Sequence, residues 1–344
     1  MRAPPWLIRW HRYCALAVLL FVLLASVSGV LLLYKKPLLR TLVAEGAQLP
    51  LNYTQQQVQR ELAQLAPEPG ISQRLKAPNA EEPYWTRTLP DGSRQLLQIE
   101  TLQPYTDCLW LVTAMEWVRQ FHYTLLAGAA GEVVMLGVGL SLLFLLFGGI
   151  WLWWPARRGF RWRWVAPFPP VGRRWLLYHR HSGIVLVPTM VLSVATGTIM
   201  LQQKVWNLVS AAPPETEEPV RSMPVNTGQT LSQLLQRGQQ EFPGGWPTYL
   251  RTDGTQARFR FRQPGEWHAN GRNWVQVGTE QGEGLEVSRT EEASGTRRLL
   301  DQMYPLHSAY GLPGWYRLSM LVSGIGAIWL SVVGGLSWWQ RRHR

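Results

Sequence analysis

HRYCALAVLLFVLLASVSG at residues 11–29 and HRHSGIVLVPTMVLSVATG at residues 179–197 are two versions of one pattern. Each stretch begins with His-Arg, continues through apolar residues and ends in Ser-Gly or Thr-Gly. The final glycine comes 18 positions after the first histidine in both stretches. Matching landmarks at a fixed spacing indicate an internal duplication.

A second pair of histidines precedes apolar runs in the same way. His122 comes before a run that ends in Gly148-Gly149, and His307 comes before one that ends in Gly334-Gly335. A Trp-Trp pair follows in both cases. Histidines are costly near a membrane core and tend to be functional there, so four of them at equivalent positions predict a functional site.

Four uncharged runs are long enough to cross a bilayer, which requires about 20 apolar residues. They are Tyr13–Tyr34, Val133–Trp154, Ser182–Leu201 and Leu318–Trp339. We interpret the first as retained rather than as a signal peptide, because it is long, lacks a clear cleavage motif and belongs to the repeat. The runs contain no lysine, aspartate or glutamate, which argues against a proton-coupled transporter.

The chain is basic, with a formal net charge of +12. Its arginines gather beside the apolar runs, which is the positive-inside pattern of a membrane protein and not the patch of a nucleic-acid-binding protein. The clusters are Arg2, Arg9 and Arg12; Arg157, Arg158, Arg161, Arg163, Arg173 and Arg174; and Arg341, Arg342 and Arg344. This pattern predicts a membrane protein with both termini in the cytoplasm and its long loops outside it, which in a Gram-negative bacterium is the periplasm.

Two compositional features complete the picture. Many of the 19 tryptophans flank the arginine clusters, as expected of anchors at a membrane interface. The two cysteines form no CxxC or CxxCH motif, which excludes a covalently attached c-type haem.

The two long loops have similar patterns. Each predicts an amphipathic helix, at Thr54–Leu65 or at Thr230–Phe242, and then short strands. The strand candidates are Ile71–Leu75, Tyr84–Leu89 and Arg94–Ile99 in the first loop, and Thr248–Arg251, Ala257–Phe261 and Trp274–Val277 in the second. Asp91-Gly92 and Asp253-Gly254 predict hairpin turns. Each loop is therefore expected to form one helix on a small antiparallel sheet.

The predicted fold class is an integral membrane protein, mainly α, with four transmembrane helices from a duplication and two small periplasmic α+β modules. The predicted segments are 1–34 (cytoplasmic N-terminus and first span), 35–115 (first module), 116–154 (second span with its periplasmic lead-in), 155–178 (basic cytoplasmic loop), 179–203 (third span), 204–303 (second module) and 304–344 (fourth span and cytoplasmic tail).

This topology decides which histidines can meet. The first and third spans run in one direction, and the second and fourth run in the other. A hydrocarbon core of about 30 Å prevents a histidine at one end from sharing a metal with one at the opposite end. The sequence therefore predicts two bis-histidine sites, one in each leaflet. They pair His11 with His179 and His122 with His307, and His181 is the alternative to His179.

Haem fits these predicted sites better than a bare metal ion. Haem iron needs two protein ligands, whereas a zinc ion needs three or four, and the runs offer no carboxylate. We therefore expect haem b, with two groups per chain. Arg12 and Arg180 each follow a candidate ligand. They could pair with haem propionates or serve only as topology signals.

The chain resembles the PepSY-associated transmembrane protein family over nearly its whole length. The resemblance rests on the order of helix, αβ module and helix, which occurs twice, and on the histidine openings of the spans. Those openings are His11-Arg12, His179-Arg180-His181-Ser182-Gly183, His122…Gly128…Gly131 and His307…Gly311…Gly314.

Family members include inner-membrane reductases of ferric siderophores such as ferrioxamine. The resemblance implies an oxidoreductase that carries electrons through haem and reduces a ferric siderophore in the periplasm to release its iron. Quinol is the expected electron donor, because the lipid bilayer supplies it and no nucleotide-binding motif is evident. The outer modules would dock the siderophore, and the candidate contacts are Trp246, Trp267, Trp274 and Tyr304.

Two other functions remain open at this point. PepSY-like modules resemble the inhibitory propeptides of secreted metallopeptidases, so the protein could be a membrane-tethered binder or inhibitor of a periplasmic peptidase. It could also be a non-catalytic scaffold subunit of an uptake or sensing complex. Haem content separates the redox function from both alternatives.

Overall fold

The computed structural model describes residues 4–65, 73–165, 174–210, 221–224, 231–252, 257–277 and 284–343. Within them the helices are α1 (Pro5–Leu33), α2 (Lys35–Leu42), α3 (Gln55–Leu65), α4 (Leu109–Thr124), α5 (Gly128–Trp153), α6 (Trp175–Ser210), α7 (Leu231–Glu241), α8 (Gly295–Asp301), α9 (Met303–Ser308) and α10 (Gly314–Arg342). The strands are β1 (Gln73–Lys76), β2 (Trp85–Thr88), β3 (Arg94–Leu97), β4 (Arg221–Pro224), β5 (Trp246–Thr252), β6 (Ala257–Arg262), β7 (Asn273–Val277) and β8 (Gly284–Ser288). Two short 3₁₀ turns, Trp154–Gly159 and Trp162–Trp164, follow α5.

The chain divides into two units. A helical unit comprises Met1–Leu33, Trp117–Ala212 and Leu306–Arg344, and a sheet unit comprises Tyr34–Glu116 and Pro213–Pro305.

The helical unit is a four-helix bundle. Its long helices α1, α5, α6 and α10 are long and apolar enough to cross a membrane, and they match the four uncharged runs to within one residue at the ends of the runs in α1 and α5. Each packs against two neighbours, in the order α1, α5, α6, α10 around the bundle. The interior between α5, α6 and α10 is filled by Leu146, Met190 and Ala327. This order places α1 and α6, which carry His11 and His179, diagonally across the bundle.

The other two histidines lie on short helices that are separate from the long ones. His122 is in α4, which ends at Thr124, and the chain then turns through Leu125 and Leu126, both with positive φ. A Cβ at Gly131 would collide with the carbonyl group of Thr124, so a glycine is required where α5 passes the end of α4. His307 likewise lies on the short helix α9, ahead of α10.

Within its described residues the sheet unit forms one eight-stranded antiparallel sheet, in the order β3-β2-β1-β5-β6-β7-β8-β4. The expectation of two separate modules is therefore wrong. The first loop supplies β1 to β3, the second supplies β4 to β8, and β1 pairs with β5 in the register Leu75 to Leu250. Pairing removes two edge strands whose backbone groups would otherwise be unpaired.

One face of this sheet forms the core of the unit. Leu75, Leu250, Phe259, Phe261 and Val275 are at most 1% exposed and share one hydrophobic cluster with residues of α3 and α7. The strand residues between them point to the opposite face, as expected from the two-residue period of a strand. That second face includes Arg74, Arg251, Arg258, Arg260, Tyr249 and Trp274.

The elements predicted in the loops are largely confirmed. The helix expected at Thr54–Leu65 is α3, and the one expected at Thr230–Phe242 corresponds to α7. The Asp91-Gly92 hairpin joins β2 to β3, whereas the Asp253-Gly254 turn lies outside the described residues. Strands β4 and β8 were not predicted.

Candidate functional site

The first histidine pair lies inside the bundle. His11 on α1 and His179 on α6 face each other with ring centroids 6.3 Å apart and ring planes at 77°. The second pair, His122 on α4 and His307 on α9, has centroids 6.1 Å apart and planes at 38°. The structure therefore brings together the two pairs that the topology predicted.

These separations suit a shared metal ion. An imidazole nitrogen binds a metal at about 2 Å, so two opposed rings on one ion have centroids about 6 Å apart. Although all four residues are described, the structure shows no hydrogen bond between the rings of either pair. Among the described residues there is also no cluster of three or more His, Cys, Asp or Glu side chains that could hold a metal. Two ligands per centre match haem iron better than a bare ion.

Each ring rests against a glycine of a facing helix. Cβ atoms placed at Gly29 and Gly197 would lie 3.1 Å and 2.7 Å from Cε1 of His122 and His307, respectively. These glycines are the landmarks that end the two matching sequence stretches. The spacing of 18 residues from histidine to glycine is five α-helical turns, so each of α1 and α6 presents both on one face.

The first pair is backed by glycines of the second and fourth spans. A Cβ at Gly149 would lie 3.7 Å from Cε1 of His11, and one at Gly334 would lie 3.3 Å from Nδ1 of His179. Both glycines follow the second-pair histidine of their own half by 27 residues. Small residues permit this close approach of ring and helix.

Hydrogen bonds fix the orientation of three of the rings. Nδ1 of His179 lies 3.2 Å from the Leu330 carbonyl, and Nδ1 of His307 lies 2.9 Å from the Ser193 carbonyl. Nδ1 of His122 lies 3.0 Å from the Ser28 hydroxyl. A ligating histidine commonly donates its second ring N–H in this way, which leaves the other nitrogen for the metal. Nδ1 of His11 is buried without a hydrogen-bond partner in the described structure.

A cavity of about 700 Å³ surrounds the first pair. All four long helices contribute to its mostly apolar wall, and its volume is within the range of small-molecule and cofactor sites, about 300–1,000 Å³. Both predicted arginines, Arg12 and Arg180, line it together with Arg341. The residues present therefore fit a large apolar group that carries carboxylates.

His181 is placed differently from His179. Its Nδ1 and Nε2 lie 2.8 Å and 3.2 Å from the carbonyl oxygens of Leu177 and Gly159, and its ring stacks on Phe160. It does not line the cavity. This geometry favours His179 over His181 as the ligand candidate.

Sequence comparison identifies the family. The family model described as "PepSY-associated TM region" matches residues 8–341. The chain belongs to this family. The PepSY-associated assignment covers both units and is consistent with a membrane protein, while a comparison with curated proteins finds no match.

In this PepSY-associated protein the predicted siderophore contacts do not form one surface. Trp246 packs against the core face of the sheet and donates to the Pro78 carbonyl, whereas Trp274 stacks with arginines on the opposite face. Trp267 is 57% exposed, and Tyr304 stacks on His268. His268 itself is 2% exposed, and the ring of Tyr304 covers it.

Sequence reasoning missed three kinds of residue. The carbonyls of Leu330 and Ser193 have no sequence signal, because any residue provides one. Gly149 and Gly334 were visible as landmarks of the repeat, but their contact with the rings was not foreseen. The alternation Arg258-Phe259-Arg260-Phe261 indicated a strand, yet the grouping of its arginines with those of other strands depends on the sheet order.

Proposed function

We propose that the protein carries electrons across the membrane through two haem b groups and reduces a ferric siderophore in the periplasm. The observation that carries this proposal is the pair of bis-histidine arrangements, with centroids 6.3 Å and 6.1 Å apart, at opposite ends of one bundle. His11 and Gly29 are five turns apart on α1, which separates the sites by about 27 Å along the helix. This distance is close to the thickness of a hydrocarbon core.

The chain's own residues would perform four tasks. The four histidines would supply the axial nitrogens, and the carbonyls of Leu330 and Ser193 would hold two of the rings in position. Gly29, Gly149, Gly197 and Gly334 would admit the rings to the helix surfaces. Around the first pair, the apolar wall would exclude water and the arginines would neutralise propionates. The haem groups, when bound, supply one-electron redox chemistry.

The direction of transfer follows from the arginine clusters, which favour a cytoplasmic location for the first pair. The donor would be quinol, which loses two electrons and two protons. Each ferric ion gains one electron, so one quinol reduces two ferric ions. Hard oxygen donors such as hydroxamates suit ferric iron better than the softer ferrous ion, and reduction would therefore release the metal. The acceptor class is suggested by the family resemblance.

The first test is the haem content of the purified protein. We expect about two haems per chain, with a Soret band that shifts on dithionite reduction. His122→Ala and His11→Ala should each reduce the content to about one, because each removes an axial ligand of a different site. His343→Ala is the matched control, since His343 lies at the end of α10 against Trp339 and has no partner histidine among the described residues.

The second test measures transfer itself. Protein in liposomes that contain reduced quinone should convert an external ferric trihydroxamate to the ferrous form, detected with a ferrous chelator. A colourless protein, or an unchanged haem content in His122→Ala, would refute the haem proposal. Full haem content without reduction of the chelate would leave the cofactor sites standing and refute the substrate.

A further inference from the structure

Three strands of the sheet unit place arginines side by side on the face opposite the core. The register sets Arg74 of β1 opposite Arg251 of β5, and Arg251 opposite Arg258 of β6. Like charges directly across a strand pair destabilise a sheet. Such a row is therefore unexpected if the face serves only to stabilise the fold.

The next row brings a fourth arginine and two aromatic rings. Arg260 lies opposite Tyr249 on one side and Trp274 on the other. The guanidinium carbons of Arg258 and Arg260 are both 4.1 Å from the centre of the Trp274 indole. Stacking on an indole is favourable for a guanidinium, and here one ring holds two of them together.

Arg260 is the most constrained of these side chains. Its Nε is buried and has no hydrogen-bond partner within the described residues. Burial, followed by the repulsion of Arg272, lowers the pKa of Arg260 to about 9, so the group is still charged at neutral pH. A buried N–H donor without an acceptor is costly, and an anion would supply that acceptor.

Of the acids near these arginines, Glu286 lies in the same cross-strand row and attracts Arg258. Asp301 attracts Arg260 but is 3.3 Å from Arg272 and 3.7 Å from Arg297. Glu82 pairs with Lys76. The described residues that line the adjoining cavity of about 380 Å³ include Arg74, Lys76, Arg251, Arg258 and Arg260, and none of them is acidic.

We propose that this face of the sheet is a binding site for a small polyanion, recognised through carboxylate or phosphate groups. Guanidinium groups fixed side by side offer the paired donors that both groups accept. The cavity is large enough for a molecule with several such groups. The proposal does not depend on haem, and a soluble anion and a lipid headgroup are two sources of the same chemistry.

The test uses the full chain in nanodiscs of neutral phosphatidylcholine. Citrate and pyrophosphate are titrated separately at low salt and followed by calorimetry. Arg260→Gln should weaken binding at least about tenfold, the loss of a charge-assisted hydrogen bond. Arg262→Gln is the matched control: it removes the same charge from the same strand, but Arg262 bonds the Glu266 carbonyl and does not line the cavity.

A second measurement identifies the source of the anion. Phosphatidylglycerol is added to the nanodiscs, and the melting temperature and citrate affinity are measured again. A lipid-dependent stabilisation that Arg260→Gln removes and Arg262→Gln keeps identifies a headgroup; unaltered citrate binding identifies a soluble anion. Both results support the site. The absence of binding by all three probes, or an equal loss in the two variants, overturns it.

The fold of Arg260→Gln can be checked independently. Without an anion this variant should melt at a higher temperature than the parent, because it removes a buried N–H donor that has no acceptor. A lower melting temperature would assign Arg260 to the structure of the sheet and contradict the proposed site.

Discussion

The His11–His179 pair and the His122–His307 pair differ in what carries and confines each ring. The first pair belongs to the long helices themselves and borders a cavity of about 700 Å³. The second pair belongs to short helices and presses into notches on α1 and α6, where a Cβ would come within 3.1 Å or 2.7 Å of a ring. A similar separation of the two rings, 6.3 Å and 6.1 Å between centroids, is thus obtained in a roomy site and in a tight one.

We expect the two sites to differ in how well they tolerate substitutions of the residues around the rings. In a roomy site, neighbouring side chains can shift when an atom is added, whereas a tight contact must displace the ring or the helix. We therefore expect the second pair to be sensitive to the size of its backing residues. The first pair should be more sensitive to the charges that line its cavity.

The largest effect is expected from Gly197→Leu. A Cβ at this position would already lie 2.7 Å from Cε1 of His307, so a leucine side chain must expel the ring. Haem content should fall from about two to about one per chain, measured by pyridine haemochrome. Gly137→Leu on α5 is the matched control, since nothing lies within 4 Å of its Cβ position.

The haem retained in Gly197→Leu shows whether the bundle has folded and which site was lost. The two histidine ring planes meet at 77° in the first pair and at 38° in the second, and these rings would ligate the iron if haem is bound. This angle affects the splitting of the iron d orbitals, so the two low-spin ferric sites should give different electron paramagnetic resonance signals. Loss of the first-pair signal instead of the second would contradict the assignment.

A smaller effect is expected from alanine at the other backing glycines. Gly29→Ala places its Cβ 3.1 Å from the ring of His122, whereas Gly149→Ala places it 3.7 Å from the ring of His11, which is an ordinary contact. Gly29→Ala should lower the occupancy of the second site partially, and Gly149→Ala should leave the first site filled. Haem titration of apoprotein measures both. Equal losses in the two variants would remove the distinction between tight and roomy sites.

The sequence was sufficient to predict much of this comparison. The repeated histidine-to-glycine spacing and the direction of the spans predicted both pairs. In a helix, the number of residues between two positions determines their distance and whether they share a face. The sequence was not sufficient to predict that His122 and His307 lie on short helices that are separate from the long helices α5 and α10. The break depends on positive φ at Leu125 and Leu126, and leucine gives no signal for that conformation.

The sheet unit was harder to predict for a related reason. Strand candidates followed from local alternation, but the pairing of β1 with β5 joins Leu75 to Leu250 across about half of the chain. A register between distant segments is set by packing of the shared core rather than by either segment alone. Arg74, Arg251 and Arg258 lie side by side only because of that register. Their grouping could not be predicted from the sequence pattern of any one strand.

The smallest effect is expected from a charge change at the first site. Arg341 lines the cavity around His11 and His179, whereas the adjacent Arg342 stacks on Trp338 and does not line it. An oxidised haem carries one more positive charge than a reduced one, so a nearby cation disfavours oxidation. Arg341→Gln should therefore lower the midpoint potential of the first site by tens of millivolts, on the order of 1 kcal/mol for one electron.

Arg342→Gln should change the midpoint potential of the first site less, and the second site should keep its potential in both variants. Redox titration resolved by the two spectroscopic signals measures these shifts. An equal shift at both sites would mean that the arginine acts through overall charge and not through the cavity.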